Sequence, residues 1–267
     1  MLSPAQLRSA LSSVLVTLAV TLPAQGQAVV SRWNFNANGN SVGSTSASTG
    51  SGTASVVPAS GMTSAVINGS NSTQSGLDPA TGNGDDYYAI TAFASGGANG
   101  SMGFSFSAST VGYSQIQVSW DQFADATASK YARFEYSIDG TNFITTGLAN
   151  GGVFTTTTGG AWTGSRSVDL TNIAGVRNNA DFKFRIVSVF QSTATGSGSA
   201  AYVAVSGTYS ASAAWRIDYV TMTGAADADG DGDPDSTDCD DTSASIYTGA
   251  PELCATSTVD NDCDGNS

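Results

Sequence analysis

An acidic run near the C-terminal end of the chain is rich in side chains that bind hard metal ions. The run, DADGDGDPDSTDCDD, extends from Asp227 to Asp241 and holds eight aspartates and no basic residue. Carboxylates this close repel each other, by about 0.7 kcal/mol for a pair roughly 6 Å apart in water. A bound divalent cation would offset this repulsion, because hard cations prefer carboxylate and carbonyl oxygens. The acidic run therefore predicts a segment that is ordered only when it holds a metal ion.

The aspartates of the acidic run follow the spacing of the calcium-loop template D-x-[DN]-x-[DN]-G. With Asp227 at position 1, Gly232 falls at position 6, where the chain must turn sharply. Position 12 is Asp238 instead of the usual glutamate, and neither flank shows a helical pattern. A disordered acidic linker is the alternative, but such linkers do not space glycine and aspartate so regularly. The predicted ligands are Asp227, Asp229, Asp231, Asp233, Asp235 and Asp238.

The acidic run and the sequence after it resemble two kinds of extracellular metal-binding sequence. The run resembles the aspartate repeats of thrombospondin type 3 and dockerin-like proteins, which lack a full pair of flanking helices. The sequence with DCDD (238–241), GAPE (249–252) and DNDCDG (260–265) resembles the MopE-type metal-binding repeat of bacterial secreted and surface proteins. That resemblance implies a cysteine-stapled acidic module, and the family name carries an association with copper. The further ligand candidates are Asp240, Asp241, Asp260, Asn261, Asp262 and Asp264.

All three cysteines of the chain lie in this C-terminal segment. In an oxidising compartment they are disulfide candidates, and their odd number leaves one over. The pairings Cys254–Cys263 and Cys239–Cys254 are both open, and the first would constrain the unfolded chain by roughly 2.7 kcal/mol in the loop-entropy model. Between Cys254 and Asp260 the chain has two more residues than the MopE-type repeat and one aspartate fewer. A second metal site there would have an altered geometry.

The ligand types favour calcium over the copper that the family name suggests. The chain has no histidine, and copper sites prefer imidazole, thiolate or thioether ligands. Oxidised cysteines would offer no thiolate, whereas aspartate and carbonyl oxygens suit Ca²⁺. We therefore predict Ca²⁺ as the bound ion, with Mg²⁺, Mn²⁺ or copper as alternatives.

The region that must carry this segment, residues 29–224, shows the two-residue alternation of β-strands. In FKFRIVSVF (182–190), every second residue from the first is predicted to face a core. Short runs of this kind, separated by small polar residues and glycine, predict an all-β fold, an antiparallel β-sandwich of jelly-roll or lectin-like type. The similar runs SRWNF (31–35) and AWRIDYV (214–220) are predicted to be neighbours in one sheet, and SIDGTNF (137–143) to form a hairpin turn.

Two functions other than metal binding are compatible with a β-sandwich. Paired carboxylates hydrolyse glycosides, and Asp121, Asp125 and Glu135 are near each other in sequence, although solvated surface positions explain them more simply. Aromatic side chains stack on sugar rings when they are exposed, although they more often belong to a core. We expect no enzyme and keep carbohydrate binding as the alternative function. The aromatic candidates for sugar stacking are Tyr87, Tyr88, Trp162 and Tyr209.

The distribution of charge restricts the partners of the protein. The formal net charge is −13, and from Ala225 onward there are twelve acidic residues and no lysine or arginine. Such a polyanion disfavours nucleic acids and anionic membranes as partners. It favours divalent cations, and extracellular glycans or matrix are further candidates.

The N-terminal sequence predicts the compartment. Residues 1–28 are typical of a secretory signal peptide, with Arg8 before an apolar run that is too short to span a bilayer. We therefore predict a secreted or cell-surface protein without a membrane span in its mature chain. Residues 29–224 would form the β-sandwich and residues 225–267 a separate metal-binding module, which the ending DNDCDGNS indicates is truncated. Because the two parts are separate in this prediction, chelation would loosen only the module.

Overall fold

The computed structural model describes residues 26–36, 43–57, 63–67, 86–91, 98–156, 162–252 and 259–266. Residues 1–25 of the predicted signal peptide and Cys254 lie outside these ranges. Helical structure in the described ranges is limited to α1 (Gln191–Thr195) and two 3₁₀ turns, Ala149–Gly152 and Ala174–Val176. None of the described helices is long and apolar enough to cross a membrane. The strands are β1 (Gln27–Trp33), β2 (Thr49–Gly50), β3 (Thr53–Val57), β4 (Thr63–Ile67), β5 (Tyr87–Thr91), β6 (Gly103–Ser107), β7 (Tyr113–Ala124), β8 (Tyr131–Ser137), β9 (Val153–Thr155), β10 (Trp162–Asp169), β11 (Lys183–Ser188) and β12 (Trp215–Ala226).

Within the described residues, these strands form two antiparallel sheets, so the predicted all-β sandwich is confirmed. The first sheet has seven strands in the order β10-β7-β12-β1-β2, with β5 also paired to β12 and β4 to β5. The second sheet has five strands in the order β3-β6-β11-β8-β9. Strand β12 is central in the first sheet, because it pairs with β7 along one side and with β1 and β5 along the other.

The first and last strands are neighbours, as their shared sequence pattern predicts. Strands β1 and β12 pair from Gln27 opposite Ala225 to Trp33 opposite Val220. Strand β1 begins two residues before the predicted start of the sandwich, and β12 ends two residues after its predicted end. This pairing fixes the point at which the chain leaves the sheet, Ala226, immediately before the acidic run.

Aromatic side chains fill the space between the sheets. Phe184 of β11 stacks on Phe106 and on Phe134, with ring centroids 4.9 and 5.6 Å apart. Burying such rings supplies most of the free energy of folding that a sandwich of this size needs. The largest fully buried side chains include Trp33, Trp120, Trp215, Tyr136, Phe35 and Phe104.

Strand β11 is buried on both faces. Phe184 and Ile186 face the main core, as the alternation in FKFRIVSVF predicts. On the opposite face, Val187 and Val189 are also fully buried, in a small cluster against which Ala194 of α1 packs. The helix therefore covers one end of the outer face of the second sheet.

The hairpin turn predicted in SIDGTNF is present after β8. Asp139 Oδ1 accepts hydrogen bonds from Ser137 Oγ (2.9 Å), from the Thr141 N–H (2.8 Å) and from the Asn142 N–H (2.7 Å). These hydrogen bonds, led by that from the Asn142 N–H, hold the pKa of Asp139 well below its ordinary value. Gly140 has a φ of 75°, which the turn requires. The turn motif thus has a structural role.

Candidate metal centre

Strand β12 delivers the acidic run to one end of the sandwich. Asp227 directly follows Ala226 and is only 1% exposed. Its N–H donates to the carbonyl oxygen of Gly112 (3.1 Å), which lies just before β7. The Asp235 N–H donates to the carbonyl oxygen of Ala226 (2.9 Å), and Asp235 Oδ1 accepts the N–H of Ala228 (2.8 Å). The acidic run therefore folds back on the end of the strand and lies against the sandwich.

Two glycines allow the acidic run to approach the sandwich closely. Gly230 and Gly232 have φ values of 82° and 105°, in the left-handed region. A Cβ atom on Gly230 would lie 1.9 Å from Asn178 Nδ2, and a Cβ atom on Gly232 would lie 2.0 Å from Arg177 Nη1. The calcium-loop template predicts the turn at Gly232. It does not predict the close approach of the two glycines to the sandwich, because that approach depends on the loop before β11.

The first three aspartates of the run each use one carboxylate oxygen to hold the backbone. Asp227 Oδ1 accepts the N–H of Gly230 (2.8 Å). Asp229 Oδ1 accepts the N–H of Asp231 (3.2 Å), and Asp231 Oδ1 accepts the N–H of Asp233 (2.8 Å). The Oδ2 atom of each of these three aspartates is buried and accepts no hydrogen bond. The three side chains also offer one carboxylate oxygen each, all within 4.8 Å of one another.

Such an arrangement is unfavourable without a cation. Burial raises the pKa of Asp227, and the charge of Asp229 adds to this effect, although the N–H of Gly230, the Ser114 hydroxyl and the charge of Arg177 oppose it. Burial also raises the pKa of Asp231, with Asp229 and Asp238 adding to it. Buried carboxylate oxygens without donors cost free energy unless a positive charge neutralises them. The three carboxylates therefore fit a hard divalent ion, which would remove both the burial penalty and the repulsion.

Asp241 adds a fourth carboxylate, although it lies beyond the twelve positions of the template. Its Oδ1 atom is buried and accepts no hydrogen bond. Burial raises the pKa of Asp241, and the charges of Asp235, Asp238 and Asp229 add to this effect. Asp238 thus lies within electrostatic range of both Asp231 and Asp241. The two ends of the acidic run are therefore close enough for their charges to interact.

Other predicted ligands serve mainly to brace the backbone. Burial alone would raise the pKa of Asp233, but hydrogen bonds from Thr237 and Thr248 lower it. The Asp233 carboxylate is therefore directed toward these two threonines. The Thr248 N–H donates to Asp233 Oδ2 (3.0 Å). Asp240 Oδ1 accepts hydrogen bonds from the Thr242 side-chain hydroxyl (2.6 Å) and N–H (3.3 Å). Position 7 of the template binds through its carbonyl oxygen, so the orientation of Asp233 agrees with the template.

The disulfide differs from both pairings that the sequence left open. The structure joins Cys239 to Cys263, with a Cα–Cα distance of 5.9 Å. Both bonded cysteines are among the three predicted disulfide candidates, whose pairing the sequence left open. Neither bonded cysteine offers a thiolate, so the compact group that their sulfurs form with Asp238 does not make a soft metal site.

A reversal of the chain explains this pairing. The Tyr247 N–H donates to the carbonyl oxygen of Asn261 (3.0 Å), and the Gly249 N–H donates to that of Asp262 (3.1 Å). These hydrogen bonds bring Cys263 back to the end of the acidic run. Separation along the sequence did not reveal this long-range contact, because loop-closure entropy varies only slowly with loop length.

A second acidic cluster lies in the segment after the acidic run. Glu252, Asp260 and Asp262 each place one carboxylate oxygen within 4.8 Å of the other two. Burial raises the pKa of Asp262, and the charges of Asp264, Glu252 and Asp260 add to this effect. Glu252 is absent from the predicted ligands, although it belongs to the GAPE motif that carries the MopE-type resemblance. The chain reversal brings it into the cluster.

The oxygens of this second cluster already accept backbone hydrogen bonds. Glu252 Oε1 accepts the N–H groups of Asn261 (2.7 Å) and Asp262 (3.2 Å). Asp260 uses both of its oxygens in the same way, and its Oδ2 accepts the N–H of Gly265 (2.8 Å). The first cluster, with its buried oxygens that accept no hydrogen bond, is therefore the better candidate for an ion.

Two remaining candidate ligands support the backbone of this segment. Asn261 is 2% exposed, and its Nδ2 donates to the carbonyl oxygen of Ser245 (3.3 Å). Asp264 is exposed, and its Oδ1 accepts the N–H of Asn266 (2.8 Å).

The three carboxylates considered for glycoside hydrolysis are divided between the two sheets. Glu135 of β8 lies in the second sheet and forms ion pairs with Arg133 and Arg185. Asp125 follows β7 of the first sheet and pairs with Arg216 (3.1 Å). Asp121 of β7 is fully buried in the first sheet, and Glu135 and Asp125 are each engaged by arginines.

The aromatic candidates for sugar stacking are divided between the core and the outer surface of the sandwich. Tyr88 is 5% exposed and belongs to the core, and Tyr209 lies beside Tyr202. Tyr87 and Trp162 are half-buried on the outer face of the first sheet, with ring centroids 5.9 Å apart.

A half-buried cluster surrounds these two rings. Phe123 packs on Trp162 (5.8 Å between ring centroids), and the Arg216 guanidinium lies 4.3 Å from the centroid of Phe123 and 5.7 Å from that of Tyr87. We name Tyr87, Phe123, Trp162 and Arg216 the aromatic patch. The sequence around Phe123 does not alternate between polar and apolar residues. Its place in the aromatic patch therefore follows only from the pairing of β7 with β10, in which Phe123 lies opposite Trp162.

Comparison with known proteins supports the C-terminal resemblance. Residues 238–267 match a family model described as "Cu-binding_MopE: Putative metal-binding motif". No match was found among curated proteins. Solved structures similar to this chain include the CBM22-1 xylan-binding domain of Paenibacillus barcinonensis Xyn10C, at 12% identity and a TM-score of 0.36 over 76% of this chain and 98% of that one.

Two further solved structures show the same level of similarity. The K2 cleaved adhesin domain of Lys-gingipain is 12% identical, with a TM-score of 0.36 over 74% of this chain and 98% of that one. The Clostridium thermocellum xylanase 10B CBM22-1–GH10 modules are 11% identical, with a TM-score of 0.37, over 64% of this chain but only 26% of that one. With TM-scores of 0.36 and 0.37, these similarities carry no argument about the fold or the ligands of this chain. The residues from Asp238 onward are thus similar to a metal-binding motif, and the sandwich before them is not assigned to a family.

Proposed function

We propose that this is a secreted or cell-surface protein, without enzymatic activity, whose acidic run binds calcium at one end of a β-sandwich. The observation that carries the proposal is the set of three buried Oδ2 atoms, on Asp227, Asp229 and Asp231, that accept no hydrogen bond. Their carboxylates converge, with one oxygen of each within 4.8 Å of the others. Calcium would supply the positive charge that these oxygens lack, and it accepts six to eight oxygen ligands.

The donor set supports a hard ion over copper. The clustered side chains offer carboxylate oxygens, and the chain has no histidine. Cys239 and Cys263 are joined to each other and offer no thiolate. Copper would find neither imidazole nor thiolate at this centre, whereas Ca²⁺, Mg²⁺ and Mn²⁺ all accept carboxylate ligands. The crowding of charges from both ends of the run suits the larger coordination number of Ca²⁺ over the six of Mg²⁺.

Calorimetric titration of the secreted chain tests this proposal. We expect heat and saturation with Ca²⁺, weaker binding of Mg²⁺, and no specific binding of Cu²⁺. Asp231→Asn should weaken Ca²⁺ binding by at least about tenfold, because one charge-assisted ligand is worth roughly 1.5–3 kcal/mol. Asp181→Asn is the matched control, because Asp181 is an exposed aspartate outside the acidic run.

Two results would contradict the proposal. If none of the three ions binds, the acidic run is a charged linker and not a metal site. Equal affinities in the Asp231→Asn and Asp181→Asn variants would place the ion elsewhere on the protein.

Carbohydrate binding is a second candidate function, and the aromatic patch favours it. The rings of Tyr87, Phe123 and Trp162 are half-buried on one outer face of the sandwich, beside the cationic side chain of Arg216. Aromatic faces stack on sugar rings, and a neighbouring guanidinium donates hydrogen bonds to sugar hydroxyls. The second candidate adds a ligand to the sandwich and does not compete with the metal site.

A glycan array of the whole protein, followed by Trp162→Ala, tests this second function. If the aromatic patch binds sugar, the variant should lose about two- to tenfold in affinity, because stacking of one ring is worth roughly 0.5–1.5 kcal/mol. Phe143→Ala is the control, because Phe143 is a half-buried ring under Arg185, outside the aromatic patch. An array without any bound glycan, or equal losses in both variants, would argue against the patch as a sugar site.

A further inference from the structure

A pocket of about 280 Å³ opens between the edges of the two sheets, far along the chain from the acidic run. One wall belongs to β10, at the edge of the first sheet, and the other to β9 and the turn before it, at the edge of the second. Its walls are largely apolar, with Trp120 at its inner end. The other side chains that matter below are Leu148, Val153, Phe154, Arg166 and Val168.

A β-bulge turns one arginine toward this pocket. Thr163 pairs with Gln122, but Arg166 pairs with Trp120, so β10 has one extra residue between the two pairs. If β10 had no bulge, strict alternation from Thr163 would place Arg166 on the outer face, which is the face of Trp162. With it, Arg166 shares the face of Trp120, which points into the sandwich. Bulges of this kind re-aim a side chain.

The Arg166 side chain is half-buried and has no ion-pair partner among the described residues. Its Nε atom is buried and makes no hydrogen bond. Among the described residues, the ion pairs of the sandwich involve Glu135 and Asp125, and neither reaches Arg166. Asp169 lines the pocket, but its Oδ1 accepts the N–H of Thr171 (2.9 Å). Burial accordingly lowers the pKa of Arg166.

The aromatic ring of Phe154 fixes the position of this charge. The Arg166 guanidinium carbon lies 5.0 Å from the centroid of Phe154, and Phe154 in turn packs on Trp120 with a centroid distance of 5.6 Å. A cation held over a ring in this way keeps its N–H edge available for an anion. A buried charge without a counter-ion is costly, and it is retained where a ligand supplies that counter-ion.

We propose that this pocket binds a small organic carboxylate, with Arg166 as the partner of the carboxylate group and the surrounding apolar side chains as the walls for its body. The volume is slightly below the range of roughly 300–1,000 Å³ that drug-sized ligands occupy, so a single ring with one carboxylate fits better than a chain of sugars. Arginine matches a carboxylate because its planar fork donates two parallel hydrogen bonds. An aromatic acid and a uronic acid share this chemistry, and the experiment separates them.

Calorimetric titration of the whole protein with benzoate, glucuronate and benzamide tests the site. We expect one of the carboxylates to bind and the neutral amide to bind about 10- to 100-fold more weakly, since a hydrogen-bonded charge is worth roughly 1.5–3 kcal/mol. Stronger binding of benzoate identifies an aromatic acid as the ligand class, and stronger binding of glucuronate identifies an acidic sugar. Arg166→Gln should lose about the same factor for the carboxylate and nothing for the amide.

Arg32→Gln is the matched control, because Arg32 also lies over an aromatic ring, that of Tyr219, at 4.7 Å. It should bind the carboxylate as the unchanged protein does. On the unchanged protein, the Nε–H resonance of Arg166 should also shift on titration, which gives a readout that does not depend on folding of the variant. Failure of both carboxylates to bind would overturn the proposal. So would carboxylate binding that leaves the Arg166 resonance in place or is unaffected by Arg166→Gln.

Discussion

Calcium should raise the thermal unfolding midpoint of the β-sandwich itself, by about 5–10 °C at a concentration 100 times the dissociation constant. The reason is that the acidic run is held against the sandwich at Asp227, whose N–H binds Gly112, and at Gly230 and Gly232, which lie against Asn178 and Arg177. An ion that orders the run therefore stabilises the end of β12 and the loops that touch it. This expectation replaces the separate modules that the sequence alone predicted.

Tryptophan fluorescence measures this effect without a signal from the acidic run. All four tryptophans precede residue 225, and three of them lie in the main core of the sandwich. We expect their unfolding transition to move to lower temperature when a chelator is added and to return when calcium is restored. A chelator that leaves the tryptophan transition unchanged would show that the sandwich and the acidic run unfold independently.

Asp227→Asn separates the metal effect from ordinary destabilisation. In calcium, the variant should unfold at a lower temperature, because a ligand is lost. Without calcium, the variant should be at least as stable as the unchanged protein. Burial raises the pKa of Asp227 because a charged carboxylate is costly to bury, and the neutral amide avoids this cost. A variant that is equally destabilised under both conditions would instead indicate a packing role for Asp227.

Gly230→Ala should weaken calcium binding by about tenfold or more. The left-handed φ of 82° costs a residue with a Cβ atom roughly 1–2 kcal/mol, and that atom would also lie 1.9 Å from Asn178 Nδ2. The Asn178 side chain, whose Oδ1 accepts the N–H of Gly112 (3.2 Å), or the acidic run must then shift, and we expect the carboxylates to lose part of their convergence. Calcium titration of the variant measures the loss.

Gly249→Ala is a closely matched control for this substitution. Gly249 has a φ of 81° in the same C-terminal segment, but a Cβ atom there would meet nothing within 4 Å. It therefore carries the same backbone strain without the contact to the sandwich. Equal losses of calcium affinity in the two variants would attribute the effect to backbone strain and not to the approach of the acidic run to Asn178.

The sequence was a good guide where local spacing determines the outcome. The alternation of Asp227, Asp229 and Asp231 with Gly232 was enough to predict a loop whose carboxylates converge, because the template encodes the turn as well as the ligands. The pairing of β1 with β12 was also predictable, since both strands carry the same pattern of tryptophan, arginine and apolar residues.

Long-range contacts limited the prediction elsewhere. Glu252 joins the second cluster only because the chain reverses and hydrogen bonds to itself, with the Tyr247 N–H donating to the carbonyl oxygen of Asn261. The same reversal selects the Cys239–Cys263 disulfide. The inward position of Arg166 depends on one extra residue in β10, and an isolated strand sequence does not reveal a bulge, because the bulge is a property of two strands in register.

The central place of β12 has a mechanical consequence. A pull on the chain at Asp227, directed along the strand, would act on hydrogen bonds to β7 on one side and to β1 on the other. Interstrand hydrogen bonds in antiparallel pairs lie perpendicular to the strands, so such a load shears many of them together and does not unzip them one at a time. A tether attached through the acidic run would consequently grip the sandwich at its most resistant strand.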